Sequence, residues 1–257
     1  MLRTMVERLS RGRAFKRRLP AEFGRTALYV SPDSQLKYLK PGASAFDAEL
    51  LRVAREELRQ GDVVWDIGAN VGVFTFAAAS RTQSGDVLAV EPDIWLAGLL
   101  RKSANLRQNR MLGVRVLPAA IATEHGVETF LVAQRGRASN ALSGPGARGE
   151  AGGIREQVLV PTLSLDLLLR SNSAPGFVKI DVEGAEELVL EGATRMLSEI
   201  RPTIYIEVGS KACDPVTTLL KDSDYRLCDG ALPKGENRTI ERCTFNTLAF
   251  PRETESR

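Results

Sequence analysis

The chain has 257 residues, of which 43% are hydrophobic and 26% charged, with a formal net charge of +3. This length and composition suit one large soluble α/β domain with additions, and so small a basic excess is no argument for nucleic-acid binding. The three cysteines and the single histidine form no zinc-binding or disulfide pattern, which is typical of a protein in the reducing cytoplasm.

The first eighteen residues carry seven Arg or Lys and one Glu, with apolar residues at roughly helical spacing. A basic amphipathic helix of this kind can lie on an anionic membrane surface. We interpret residues 1–43 as a basic N-terminal arm and lead-in, with a frayed soluble extension as the alternative. No apolar run is long enough for a signal peptide or a membrane-spanning helix. We therefore expect a cytoplasmic protein, and membrane contact through the arm would place it at the inner face of the membrane.

Beyond the arm, predicted helices and strands alternate along the chain. Residues 44–60 have the periodicity of an amphipathic helix, with Ser44 as the expected N-cap. Short apolar runs predict buried strands at residues 62–68, 86–93, 114–122, 177–184 and 202–209. A predicted helix follows each of these strands except the third, and such alternation is typical of one doubly wound α/β domain.

The third strand is followed instead by two segments of alternating hydrophobicity, residues 127–133 and 156–162, which predict an inserted β-hairpin. The Gly-rich stretch between them, residues 134–155, predicts a flexible surface loop. Residues 245–251 predict the last strand, and residues 251–257 predict a disordered tail.

Carboxylates stand at the ends of four of the five strands predicted to be parallel. They are Asp66, Glu91 with Asp93, Asp181 with Glu183, and Glu207. Because ligands of such folds bind at the carboxyl ends of the strands, these side chains should gather at one site. Several carboxylates oppose the pyrophosphate of a dinucleotide, but they suit S-adenosylmethionine, which carries a sulfonium, an ammonium and an adenosine. The pattern therefore favours S-adenosylmethionine over NAD.

The loop DIGANVG, residues 66–72, follows the first of these strands. Gly68 and Gly72 let the backbone approach a ligand closely, and Asn70 tolerates a left-handed conformation. Asp66 is predicted to organise the loop and to help hold the methionine ammonium. Glu91, 25 residues further on, is predicted to accept hydrogen bonds from both ribose hydroxyls.

The blocks VVWDIGANVG, VEPD, PTLSLDLLL, FVKIDVEGAEELVLEGA and PTIYIEVG occur in the order found in FkbM-type methyltransferases. Residues 44–250 resemble this branch of the class I S-adenosylmethionine-dependent enzymes. The resemblance implies a mostly parallel seven-stranded sheet, the Rossmann-like class I methyltransferase fold, with an antiparallel final strand. It also implies methyl transfer to hydroxyl groups, often on sugars, lipids or secondary metabolites.

The resemblance further implies where the ligands bind. The backbone around Ala119 and Ala120 would face adenine, while Asp181 and Glu183 would border the reaction centre. The helical arm and the Gly-rich loop lie outside the resemblance, so we expect these regions to set the acceptor. We expect a small-molecule, glycan or lipid-linked acceptor and no nucleic acid, and the oligomeric state is not indicated.

An alcohol acceptor must lose a proton, so a general base is expected near the methyl donor. Asp181, Glu183 and Glu207 are the candidates, because partial burial at a strand end raises the pKa of a carboxyl group. His125 lies in a predicted turn and is interpreted as a surface residue. Magnesium bound by two or three of the carboxylates is the alternative, but the spacing defines no ligand set and we expect no metal.

Three other functions compete with this interpretation. A nucleic-acid methyltransferase would explain the basic arm and the loop arginines, which are Arg135, Arg137, Arg148 and Arg155. However, DVEG stands where base-modifying enzymes of this fold carry Asn or Asp followed by two prolines and an aromatic residue. A module that binds S-adenosylmethionine without turnover is the second alternative. A nicotinamide oxidoreductase is the third, and GANVGVF supplies no dinucleotide fingerprint for it.

Overall fold

The computed structural model describes residues 9–83, 85–134, 136–143, 153–235 and 237–252. Residues 1–8, which hold much of the predicted amphipathic arm, lie outside the described residues, as do Arg135, residues 144–152 of the Gly-rich loop with Arg148, and residues 253–257. Over the ranges described, the structure contains no helix of the length and hydrophobicity needed to cross a membrane.

The elements alternate along the chain as the sequence predicts. The strands are β1 (Phe15–Arg18), β2 (Ala27–Val30), β3 (Val64–Ile67), β4 (Val87–Val90), β5 (Val114–Leu117), β6 (Ala120–Ile121), β7 (Gly126–Ala133), β8 (Ala141–Leu142), β9 (Ile154–Leu163), β10 (Phe177–Ile180), β11 (Thr203–Glu207), β12 (Tyr225–Asp229) and β13 (Asn246–Pro251). The helices are α1 (Ala48–Glu57), α2 (Val73–Thr82), α3 (Ile94–Ala104), α4 (Leu165–Leu168), α5 (Glu186–Glu191) and α6 (Cys213–Asp222).

The largest sheet in the described ranges has seven strands in the order β12-β13-β11-β10-β3-β4-β5. Neighbours from β11 to β5 are parallel, whereas β13 runs antiparallel to both of its neighbours. The central strands β3, β4 and β10 are buried along their whole length because helices cover both faces, with α1, α2 and α3 on one side and α4, α5 and α6 on the other. The predicted mixed α/β fold is therefore confirmed, and β3, β4, β10 and β11 end at one edge of the sheet.

Part of the described arm is a strand rather than a helix. Residues Phe15–Arg18 form strand β1, which pairs antiparallel with β2. Half-buried Phe15 and Arg17 alternate with exposed Lys16 and Arg18, and this period of two suits a strand rather than a helix. The prediction of a helical arm is wrong for these four residues.

The helix predicted to begin at Ser44 begins later. Asp47 is the N-cap of α1 and accepts a hydrogen bond from the backbone amide of Glu49 at 3.1 Å. Ser44 lies in a preceding 3-10 turn, where its hydroxyl donates to the carbonyl of Pro41. Asp47 is a better N-cap than Ser44 because its negative charge is also stabilised by the positive end of the helix dipole.

The predicted hairpin is part of a second sheet, which we call the insert sheet. Its strand order is β6-β9-β7-β8, and β7 pairs antiparallel with β9. The segment predicted as one third strand, residues 114–122, is divided between β5 of the large sheet and β6 of the insert sheet. Pro118 stands at the division, where its missing N–H removes a ladder hydrogen bond. The predicted tail also begins one residue too early, because Pro251 ends β13.

Candidate functional site

A cavity of about 550 Å³, here called the first cavity, opens at the carboxyl edge of the large sheet, beneath the insert sheet. Seven of the ten predicted site residues line it, namely Gly68, Asn70, Glu91, Ala119, Ala120, Asp181 and Glu183. The insert sheet contributes Phe130 and Leu142 to the same wall. Three of the strand-end carboxylates, on Glu91, Asp181 and Glu183, therefore enclose one ligand-sized space together with the insert sheet.

The loop after β3 depends on two glycines. Gly68 has φ of +75°, and a Cβ atom there would lie 1.7 Å from the carbonyl oxygen of Asp181. Gly72 has φ of +89°, and a Cβ atom there would lie 2.4 Å from Cδ2 of Leu100. Gly68 thus lets the loop meet the end of β10, whereas Gly72 is required for packing under α2 and does not line the cavity.

Asn70 ties the loop to the next strand. It adopts the left-handed conformation with φ of +54°, and its backbone amide donates to Oε2 of Glu91 at 2.7 Å. Its side-chain oxygen accepts from the amide of Val71 and from the hydroxyl of Ser34. These bonds fix the cavity wall before any ligand is present.

Glu91 is buried at the end of β4, and its other oxygen accepts from the backbone amide of Asp93 at 2.9 Å. Burial raises the pKa of Glu91 to about 8, more than these amides lower it. Because each carboxylate oxygen has two lone pairs, Glu91 can still accept hydrogen bonds from a ligand in the cavity.

Asp66 is fully buried beneath the loop and is not among the residues that line the cavity, so its contact with the methionine ammonium stays a prediction. Its Oδ2 accepts from the hydroxyl of Thr75, and its Oδ1 lies 3.3 Å from Nζ of Lys179. Lys179 also lies 3.4 Å from Oδ2 of Asp181. Burial alone would lower the pKa of Lys179, but Asp66 and Asp181, joined by Glu207, raise it above the ordinary value. Asp66 therefore positions the site through Lys179.

A second cavity of about 600 Å³ adjoins the first. The two share Asn70, Ala138, Asp181 and Glu183 in their walls, and Glu207 lines only the second. Burial, followed by the nearby Asp181 carboxylate, raises the pKa of Glu207 to about 8. The three predicted base candidates therefore lie along the second cavity, two of them where it meets the first.

Arg137 is a site residue that the sequence analysis considers only under the alternative of a nucleic-acid methyltransferase. Its side chain is only 10% exposed and pairs with Asp93 and with Asp33, and Asn140 donates to the same Asp93 oxygen. Arg155 also pairs with Asp33. These bonds attach the insert sheet to the start of α3, where Asp93 is the N-cap. No local periodicity in the predicted loop indicates this role.

The other reactive side chains lie elsewhere. His125 is exposed, as predicted for a turn residue. Cys213, Cys228 and Cys243 are free and buried. Within the described ranges, no group of three or more His, Cys, Asp or Glu residues is arranged to hold a metal ion.

Comparisons with known proteins agree with this geometry. A family model described as the methyltransferase FkbM domain matches residues 66–227. The hexuronic acid methyltransferase AglP of Haloferax volcanii is 27% identical over 200 residues, covering 76% of this chain and 77% of that protein. The crystal structure of methyltransferase FkbM from Methylobacillus flagellatus KT is similar in fold, with a TM-score of 0.50 and 18% identity. That similarity covers 76% of this chain but only 44% of the other, so this chain spans less than half of its length.

Proposed function

The chain belongs to the FkbM methyltransferase family, and from this premise we propose that it transfers a methyl group from S-adenosylmethionine to a hydroxyl group of a sugar-containing acceptor. The observation that carries the proposal is the pair of adjoining cavities, which share Asn70, Ala138, Asp181 and Glu183. A methyl donor in the first cavity would meet an acceptor in the second at these residues. The proposal includes the assignment of the sheet to the class I methyltransferase fold.

The residues of the first cavity suit S-adenosylmethionine. Glu91 places a carboxyl group with free lone pairs at the end of β4, where a ribose diol can donate to it. Ala119, Ile121 and Phe130 form an apolar wall for a purine ring. Asp181 and Glu183 provide the anionic end for the ammonium and sulfonium charges. When bound, S-adenosylmethionine would supply an activated methyl group and leave as S-adenosylhomocysteine.

The side chains of this chain must then align the acceptor and remove its proton. Glu207 is the strongest base candidate of the three, because it lies in the second cavity and burial and Asp181 give it a pKa of about 8. A base with a pKa near the working pH combines an ionised fraction with useful basicity. Asp181 and Glu183 lie where the cavities meet, and we assign them to the reaction centre beside it.

A sugar acceptor is supported by the relative from Haloferax volcanii, which is named a hexuronic acid methyltransferase. Nucleic acid is not supported as the acceptor, because Arg137 is engaged with buried carboxylates and Arg155 pairs with Asp33. The predicted membrane contact of the arm stays a prediction, since residues 1–8 lie outside the described part of the chain.

Calorimetric titration of the purified protein with S-adenosylmethionine, S-adenosylhomocysteine and NAD tests the proposal. We expect micromolar binding of the first two ligands, loss of that binding in Glu91→Ala, and no binding of NAD. Glu128→Ala, which removes an exposed glutamate of β7, is the matched control and should bind like the unaltered protein. Absence of S-adenosylmethionine binding would overturn the proposed function.

A further inference from the structure

The second cavity is partly built by a segment that precedes the matched family domain. Gln35, Lys37, Tyr38 and Asp47 line it, whereas the family match begins at residue 66. On the proposed function, this cavity receives the acceptor. The charge and hydrogen-bonding groups that this segment contributes therefore decide which acceptors fit.

The charges of the second cavity disfavour an anionic acceptor. Its described lining contains four carboxyl groups, on Asp47, Asp181, Glu183 and Glu207, against the two ammonium groups of Lys37 and Lys179. Both ammonium groups already have partners. Nζ of Lys37 lies 3.1 Å from Oδ2 of Asp47, and Lys179 is enclosed by the carboxylates described above. A carboxylate on the acceptor would meet an excess of like charge, because each ammonium group is already balanced by a carboxylate of the chain.

The same wall offers groups that suit neutral hydroxyls. Gln35 lines this wall and its buried Oε1 has no hydrogen-bond partner in the described structure, so a rotation of the amide toward the cavity would let it accept from an O–H donor. Tyr38 is 3% exposed and lines the same wall. Burial raises the pKa of Tyr38 far above its ordinary value, with Asp47 and Asp181 adding to it, so its hydroxyl keeps a proton to donate. Leu50 and Phe74 supply apolar surface for a sugar ring.

We propose that the second cavity binds an uncharged sugar ring, and that the Lys37–Asp47 ion pair makes it reject uronate acceptors. Among the described residues of the lining, Lys37 carries the ammonium group that stands outside the buried Lys179 cluster, and Asp47 acts by pairing with it. This proposal rests on the proposed function and narrows it, because the relative named for hexuronic acid would then differ from this chain in acceptor charge.

Asp47→Asn is the variant that breaks the ion pair, and it also removes one of the four lining carboxyl groups. Asn is as good an N-cap as Asp, so α1 keeps its cap while the side chain loses its charge and Lys37 gains a free ammonium. The matched control is Glu241→Gln, which neutralises the carboxylate of the exposed Lys221–Glu241 ion pair on another part of the surface.

The measurement is saturation-transfer-difference NMR on full-length protein saturated with S-adenosylhomocysteine. The probes are the methyl glycosides of glucose, galactose and mannose, each compared with its matched methyl uronide. We expect the neutral member of a pair to bind at least about tenfold more tightly than its uronide, since like charges in a cavity are strongly unfavourable. Asp47→Asn should reduce or reverse that ratio, Glu241→Gln should leave it unchanged, and Gln35→Ala should weaken the neutral glycosides.

Two outcomes overturn the inference. The first is that a uronide binds as tightly as its neutral glycoside, or more tightly. The second is that protein loaded with S-adenosylhomocysteine gives no saturation-transfer signal with any glycoside. A ratio unaffected by Asp47→Asn refutes the part assigned to the ion pair. Calorimetry on the same samples separates these results from failure of the proposed function, which would appear as no binding of S-adenosylhomocysteine at all.

Discussion

Nζ of Lys179 donates a hydrogen bond to the backbone carbonyl of Gly68 at 2.8 Å, joining strand β10 to the loop that follows β3. The same ammonium group faces the carboxylates of Asp66 and Asp181. One buried cation therefore holds together the loop that borders the first cavity and the acids proposed for the reaction centre. We therefore expect that removing this cation both lowers the free energy of unfolding and disturbs the geometry of the site.

Lys179→Met should destabilise the protein by about 3–5 kcal/mol, because it leaves a buried carboxylate without its partner. It should also weaken S-adenosylmethionine binding, since the Gly68 carbonyl loses its donor. Urea unfolding and calorimetry would measure the two effects. Lys221→Met, which breaks an exposed ion pair with Glu241, should leave the free energy of unfolding nearly unchanged, because solvent screens the exposed pair. Equal effects of the two variants would contradict the central role of Lys179.

Gly68→Ala should abolish donor binding, because the added Cβ would lie 1.7 Å from the Asp181 carbonyl and either β10 or the loop must shift. Gly61→Ala is the matched control, since Gly61 also has a positive φ, +91°, but a Cβ atom there meets nothing within 4 Å. We expect the control to lose only about 1–2 kcal/mol of stability from backbone strain and to keep its affinity. Calorimetric titration of both variants with S-adenosylmethionine would separate two effects on affinity. One is the clash with the Asp181 carbonyl, and the other is the positive φ that both glycines share.

Glu91 should make the protein less stable as the pH rises. Its pKa is about 8 in the folded protein against an ordinary value of 4.5, so the folded state holds a proton that the unfolded state has released between these values. The free energy of unfolding should therefore fall across this interval, by at most about 1.4 kcal/mol per pH unit from this group. Glu91→Gln should flatten that part of a curve of Tm against pH. An unchanged curve would show that Glu91 is ionised in the folded protein throughout.

Glu207 should control the pH dependence of turnover if it is the base. With a pKa of about 8, its ionised fraction rises through neutral pH, so kcat/KM should increase up to about pH 8 and then level off. Glu207→Gln should lower kcat by about 10²-fold or more and remove that rise, while S-adenosylmethionine still binds. Steady-state rates across pH with a working acceptor would test this. A variant that keeps the wild-type profile would transfer the role to Asp181 or Glu183.

Arg137→Ala should loosen the insert sheet over the first cavity. The change leaves the buried carboxylates of Asp33 and Asp93 without a shared cation, for which losses of about 3–5 kcal/mol are typical. We expect faster dissociation of S-adenosylmethionine, measured by stopped-flow displacement. Arg195→Ala, which breaks an exposed pair with Glu199 on the surface, is the control and should dissociate the ligand at the unaltered rate.

The sequence could predict those parts of the fold and the candidate site that depend on local pattern. Continuous apolar runs locate the central strands, and the carboxylates after them meet at one edge because parallel strands place their ends together. The residue type of Asn70 permits a left-handed conformation, and the structure has Asn70 in that conformation.

The remaining features depend on contacts between distant residues. Arg137 meets Asp93 across 44 positions of sequence, and Asp66 meets Lys179 because two strands distant in sequence lie side by side. The arm residues from Phe15 become a strand because β2 is available to pair with them. No local periodicity carries such information, so these features required the three-dimensional structure.

The pairing of Asp66 with Lys179 also has a consequence for how the chain folds. The two are Cα partners in the register between β3 and β10. If β10 docked one residue out of step, Lys179 would move to the opposite face of the sheet and lie among apolar side chains without a carboxylate. Asp66 would then be left as a lone buried anion, so a misaligned strand would carry two uncompensated charges. The ion pair thus disfavours other registers of β10 against β3 during folding. A chain with Leu at both positions should form more species with a shifted register, even where its native state is stable.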